Sequence, residues 1–214
     1  NSKLIKVDGV IKEKVWKLDG MYSNSIEEII FWLEKAMSVS ENDQQKKAFG
    51  LLIKYYKTGD LKTWDDYNIE WVNTLEGDID YINGFIEVYN DPMAYKASFE
   101  SVVQIKDFEM SKKMDALSKH AQWFEDNSTI SDNHKRKNVV GISYNTVNVA
   151  SEAGATSPSS PIGINLPNAN WIRANHGSKS ISLGNILYAY GNAGSSGRLE
   201  EFAYSKEEIE LEKK

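Results

Sequence analysis

Ser160-Pro161-Ile162-Gly163-Ile164-Asn165-Leu166-Pro167-Asn168 alternates as a strand does: Ile162, Ile164 and Leu166 fall on one face, Gly163 and Asn165 on the other. Pro161 and Pro167 bracket the run, and a residue without an N–H cannot donate to a ladder, so the stretch is predicted at the edge of a sheet. An edge strand keeps backbone donors and acceptors that an extended peptide can pair with, and Gly163 lets another chain approach closely. Asn165 and Asn168 add amides that both donate and accept. The same pattern also describes an ordinary edge strand ending in an Asn turn, and the local residues leave both readings open.

Working outward, the chain before this strand divides by texture. Residues 1–24 alternate weakly (Leu4, Ile5, Val7, Val10, Ile11) and read as short strands or extended segments with a turn at Asp19-Gly20. Ser25 with Glu28 forms a capping-box pattern, behind which Ile26, Ile29, Ile30, Leu33 and Met37 share a helical face. A second helix is predicted from Asp43 to Lys57, ended by Gly59, with Ala48, Leu51, Leu52, Tyr55 and Tyr56 inward. Thr63 is placed to cap a third, which buries Trp64, Tyr67, Trp71 and Val72. From Ile79 the composition turns strand-like. Ile79–Tyr89 and Ala97–Ile105 flank Asn90-Asp91-Pro92 and predict a hairpin. Asp107–Asp126 returns to helical spacing, 127–138 is a polar loop, Val139–Ala150 is a further strand, and 151–160 is a loop of small residues. Ile181–Tyr190 is mixed and fits a short helix. A last helix opens at Ser205 and is expected to continue past Lys214, so both ends are expected to be cut boundaries of a longer chain. The class is α+β: an N-terminal helical region (1–78), a small antiparallel sheet or barrel core (79–106 and 139–170), a helical insertion (107–138), and the start of another helical part (171–214).

With 214 residues, 41% hydrophobic and 26% charged, the chain can bury a core. A net charge of −6 argues against a nucleic-acid partner, and no apolar run approaches a membrane span. The expectation is a soluble protein, cytoplasmic or exported. Zero Cys excludes disulfides and thiolate metal sites. His120, His134 and His176 are followed by Ala121, Lys135 and Gly177, so no H-E-x-x-H exists. No nucleophile elbow stands at a strand-to-helix junction, and Gly191-Asn192-Ala193-Gly194 does not follow a clear strand. Glu207, Glu208 and Glu212 read as a solvated helix face.

One constellation remains. Glu87 and Tyr89 lie at i and i+2 and project from one strand face. A carboxylate, a phenol and the amides of Asn165 and Asn168 suit a small ammonium such as a peptide's amino terminus. A self-satisfied polar cross-strand cluster is the other reading of the same residues.

Tyr81-Ile82-Asn83-Gly84-Phe85-Ile86-Glu87-Val88-Tyr89-Asn90-Asp91-Pro92 resembles the GFIExYxDP signature of the dipeptidyl peptidase III family of zinc exopeptidases, and Lys96–Glu100 continues it. Pro161–Asn168 with Ser178–Asn185 resembles a second block of that family, and Tyr56–Tyr67 is similar to its bacterial, Bacteroides-like branch. The likeness runs over roughly residues 25–214. It implies a two-lobed hydrolase in which a lower lobe with a five-stranded barrel holds peptide as an added strand, and a helical upper lobe carries zinc through H-E-x-x-G-H and E-E-x-x-x-E. It implies that Glu87, Asn165 and Asn168 hold the substrate amine, that Tyr89 steadies the peptide, that Glu100 lies close by, and that the backbone of Pro161, Ile162, Gly163 and Ile164 is the pairing edge. Asn90 and Ala94 stand where the family often has Arg and Gly. The zinc motif is absent from this sequence, so no catalytic or metal-binding residue and no cofactor is expected here; zinc belongs to the full-length enzyme. The implied partners are short peptides with a free amino terminus and the zinc-bearing lobe of the same protein. A stand-alone peptide-binding or scaffold module is the alternative, and a helical interaction domain with a merely structural sheet is a third reading. The 214-residue chain by itself is expected to leave a dipeptidyl-arylamide uncleaved, with or without a chelator, in a chromogenic assay.

Overall fold

The computed structural model describes residues 2–87, 97–139, 142–157, 159–192, 202 and 205–212. The chain opens with a hairpin, β1 (Ser2–Val7) and β2 (Val10–Val15), paired from Ser2↔Val15 to Val7↔Val10. Asp8 and Gly9 take positive φ between them, the conformation that a two-residue hairpin turn demands. The weak alternation of this segment thus forms its own two-stranded sheet.

Three helices follow: α1 (Ser23–Ser38), α2 (Asp43–Thr58) and α3 (Leu61–Asn73). α1 starts two residues before the expected cap, so Ser25 lies in its first turn and Tyr22, at φ 63°, occupies the cap position. Ile26, Ile30 and Leu33 are its buried stripe. In α2 the Asn42 side chain accepts from Gln45 N, and Gly59 at φ 70° ends the helix as predicted. The cap of α3 is Asp60 rather than Thr63: its carboxylate accepts from Lys62 N and Thr63 N, and from Thr63 Oγ1 at 2.6 Å. Thr63 is buried inside the helix, because a carboxylate one turn earlier satisfies the orphan donors first.

The second sheet has five strands in the order β3 (Ile79–Glu87), β4 (Ser98–Lys106), β5 (Ile142–Gly154), β7 (Ser178–Leu183), β6 (Gly163–Leu166). It is mixed, not antiparallel throughout: β5 and β7 run parallel. β5 also extends through Gly154 into the segment expected to be loop. β7 lies in the stretch expected to begin another helical part, yet it joins β5 to β6 in the middle of this sheet. Its inward positions are Lys179, Ile181 and Leu183, all nearly inaccessible to water. A lysine at the first of them hid the period-two signal. Between the strands stand α4 (Phe108–Lys119) and α5 (Ala121–Asp126), then α6 (Asn170–Asn175), with α7 (Gly184–Asn192) after β7 and a last helix at Lys206–Glu212. Among the described residues no helix is long and apolar enough to cross a membrane.

α2 and α3 pack on β3. Phe49 stacks on Tyr81 with ring centroids 4.1 Å apart, and Tyr56 Oη donates to Asn83 Oδ1 at 2.6 Å. Gly84 is required by the close approach of α3: a Cβ there would stand 2.6 Å from Cη2 of Trp64. The deepest link is polar. Lys179 Nζ reaches Asp80 Oδ2 at 2.7 Å across 99 residues and lies 4.3 Å from the centre of the Trp71 ring. Trp71 Nε1 donates to Asp80 Oδ1 at 3.0 Å and to the carbonyl of Tyr81 at 2.9 Å. Burial pushes the Lys179 ammonium below the ordinary lysine range while Asp80 pulls it back up.

Asp80→Ala would strand a fully buried cation and is expected to cost about 3–5 kcal/mol in urea unfolding. Lys179→Met leaves a partly exposed carboxylate that Trp71 still holds, so it is expected to cost less, about 1–2 kcal/mol. The Asp80→Asn/Lys179→Met double variant should fall nearer the parent than Asp80→Ala does.

Candidate functional site

β3 and β6 are the two outer strands of the sheet and share no ladder. Their ends nevertheless meet through side chains. A bulge between Phe85 and Glu87 turns the end of β3, re-aiming the Glu87 carboxylate. β6 runs into the buried Leu166 and Pro167, and Asn168 follows. Asn168 Nδ2 then donates to Glu87 Oε2 at 3.3 Å, joining residues 81 apart in sequence.

Glu100, on the neighbouring strand β4, completes an acidic corner. It pairs with Gly84 of β3 on one side and Gly154 of β5 on the other, and only 7% of its surface is exposed. Burial, and then the charge of Glu87, push its carboxyl up to about 7. Two carboxyls so placed, one of them buried, favour any cation that enters between them.

The other sequence-predicted residues separate. The Asn165 amide donates to Ser180 Oγ across the β6–β7 pair at 2.9 Å, rather than to Glu87. Direct register places Asn165 opposite Ser180, so the hydroxyl is the nearer acceptor. Gly163 and Asn165 face solvent, while Ile164 packs against the core and Leu166 is buried, as the alternation predicts. Ile162 is exposed and Pro161 half-buried; the carbonyl of Ile162 accepts from Leu183 N at 3.1 Å. Gly163 to Leu166 pair with β7 alone, so β6 is an outer strand with its far backbone edge outside the sheet's ladders. Tyr89, Asn90 and Ala94 lie outside the described residues.

Sequence reasoning missed what pins the entry to β6. Ser160 Oγ donates to Glu152 of β5, and Tyr190 Oη of α7 donates to the carbonyl of Ser160 at 3.2 Å. These partners are far apart in the chain, and no local pattern marks them. Among the described residues no group of three or more His, Asp or Glu side chains is gathered as metal ligands would be.

The architecture is of the α+β class. The sequence matches the model of Peptidase family M49 over residues 3–209, and the chain belongs to that family. Among curated relatives, dipeptidyl peptidase 3 of Nematostella vectensis is 26% identical over 171 residues, 80% of this chain and 23% of the relative. The Homo sapiens dipeptidyl peptidase 3 is 26% identical over 168 residues, 78% of this chain and 22% of the relative. The solved structure of DPP III from Caldithrix abyssi superposes with a TM-score of 0.82 at 24% identity, over 98% of this chain and 40% of that one. The chain thus spans about a quarter of the curated relatives' length and two-fifths of that structure.

The Glu100 carboxyl makes the fold pH-dependent. Its folded pKa lies above its unfolded one, so between pH 4.5 and about 7 the folded chain binds more protons than the unfolded chain. This group's contribution to stability therefore falls as pH rises through that window. Glu100→Gln is expected to equal the parent near pH 4.5 and to exceed it at pH 8 by on the order of 2 kcal/mol, measured by urea unfolding at both pH values.

Proposed function

We propose that this chain is the substrate-holding, lower-lobe part of a zinc-dependent dipeptidyl peptidase. In this role it grips the free amino terminus of a short peptide, and hydrolysis takes place on the zinc-bearing lobe of the longer protein. The observation that carries the reading is the 3.3 Å approach of Asn168 to Glu87. It brings the ends of two outer strands together beside the buried carboxyl of Glu100. An ammonium entering this corner receives charge from Glu87 and from Glu100, which gives up its proton as the cation arrives. Asn168 supplies a directed amide oxygen once its N–H is held by Glu87. Asn165 stands three residues before Asn168 and orients through Ser180; Tyr89 is assigned the task of steadying the peptide. The peptide backbone runs along Pro161 to Ile164, the entry to β6 and its first residues, as an added strand, which uses main-chain hydrogen bonds and tolerates many side chains. The bound zinc of the full-length enzyme supplies a Lewis acid and an activated water.

Isothermal titration of the chain with tetra-alanine and with its N-acetylated twin tests this reading. The free-amine peptide is expected to bind and the acetylated one to bind at least about tenfold more weakly, the range of a charge-assisted hydrogen bond. Glu87→Gln should remove that difference. Equal heats from the two peptides would exclude an amine pocket.

A further inference from the structure

Gln104 of β4 is an amide enclosed in the fold with no protein group to bond. None of its surface is exposed, and neither Oε1 nor Nε2 has a hydrogen-bond partner. The pairing with β5 shifts between Val103 and Gln104, a bulge that re-aims the strand. The side chain falls on the inward side of the sheet with the buried Val102, two residues earlier. A buried amide unpaired at both its donor and its acceptor is a costly defect, and native folds give such groups a partner.

Gln104 borders a cavity of about 30 Å³. The turn 74–79 closes one side of it, and Asp80, Lys106, Val147 and Ile181 line the rest. That turn is held in place from three directions. Glu41 Oε2 accepts from Ile79 N at 3.0 Å, Asn42 Nδ2 donates to the carbonyl of Glu76 at 3.1 Å, and Lys106 N donates to the carbonyl of Asp78 at 2.8 Å. A water molecule needs roughly 10–15 Å³ for its centre, so one or two fit. Asp80 stands directly opposite Gln104 in the β3–β4 register, so the two side chains leave the same face with Cβ atoms roughly 5 Å apart. That is a separation one water spans.

We infer that this cavity is a binding site for ordered water, with one molecule bridging the Gln104 amide to the Asp80 carboxylate. Gln104 Nε2 donates to the water, and the water donates to Asp80. The remaining room lets a second water donate to Gln104 Oε1. A cation suits the cavity less well. Asp80 Oδ2 already takes Lys179 Nζ at 2.7 Å, and Lys106 adds a further positive charge to the lining. An apolar guest would leave the amide unpaired. The bridging water extends the polar link of Asp80, Lys179 and Trp71 to β4, so the strand beside β3 is tied to the same charge pair.

A high-resolution crystal structure of the 214-residue chain tests this directly. A density peak is expected within roughly 2.7–3.2 Å of both the Gln104 amide and the Asp80 carboxylate. A dry cavity, or a Gln104 amide turned onto a protein group, would overturn the site. So would a peak that gains anomalous scattering after a rubidium soak, because the occupant is then a cation. Gln104→Met gives a solution measurement whose sign decides. Where water serves the amide, the apolar side chain strands or expels it, and the urea midpoint is expected to fall by about 0.5 M or more. Where the amide is simply unpaired, methionine removes the defect, and an unchanged or raised midpoint would overturn the site. The parent crystal decides the matter even where the variant does not fold.

Discussion

The buried ammonium of Lys179 constrains the rest of the molecule. A lysine with almost no exposed surface is costly to desolvate, and the fold tolerates it only because Asp80 and the Trp71 ring are both in place. Those two partners come from different elements. Asp80 fixes β3 relative to β7, and Trp71 fixes α3 against both, through its hydrogen bonds to Asp80 and Tyr81. The interaction thus sets where α3 lies relative to the sheet. Apolar contacts alone are non-directional and would permit sliding; a paired charge with a stacked ring does not.

The candidate site follows from that placement. With α3 held against β3, the far end of β3 is free to bulge at Phe85, and Glu87 turns toward the residues that follow β6. The same arrangement buries Glu100 between two glycines of the neighbouring strands, Gly84 and Gly154, within reach of the Glu87 charge. A buried carboxyl beside a second acid is unfavourable for the empty protein. Strain of this kind is commonly kept where a ligand relieves it. At Glu100 the carboxyl is opposed by burial and by a second acid, while at Lys179 the charge is already matched within the fold.

Much of this was legible from local pattern. The helical stripes of α1 and α2, the Gly59 stop, the hairpin of β3 and β4, and the outer position of β6 all follow from period and from proline and glycine chemistry. From their chemistry alone Glu87 and Asn168 fit either an amine site or a self-satisfied polar cluster, and the 3.3 Å contact between them agrees with both. The misses share a cause. β7 was hidden because Lys179 reads as a surface residue, and Asp60 displaced Thr63 as a cap because both chemistries suit the position. Asn165 turned to Ser180 because register, which no single strand reveals, put a hydroxyl opposite it.

The sequence by itself determined most of the helices and strands and the kinship with Peptidase family M49. These depend on spacing along the chain and on side-chain type, both local quantities. Only the tertiary structure decided that β5 and β7 run parallel, that Lys179 is buried and that Glu100 is pushed up to about 7. It also decided that the Gln104 amide is enclosed opposite Asp80. Each of these depends on which distant residue removes water or supplies charge. That depends on how the strands pair and how α3 packs, information that no window of neighbouring residues contains.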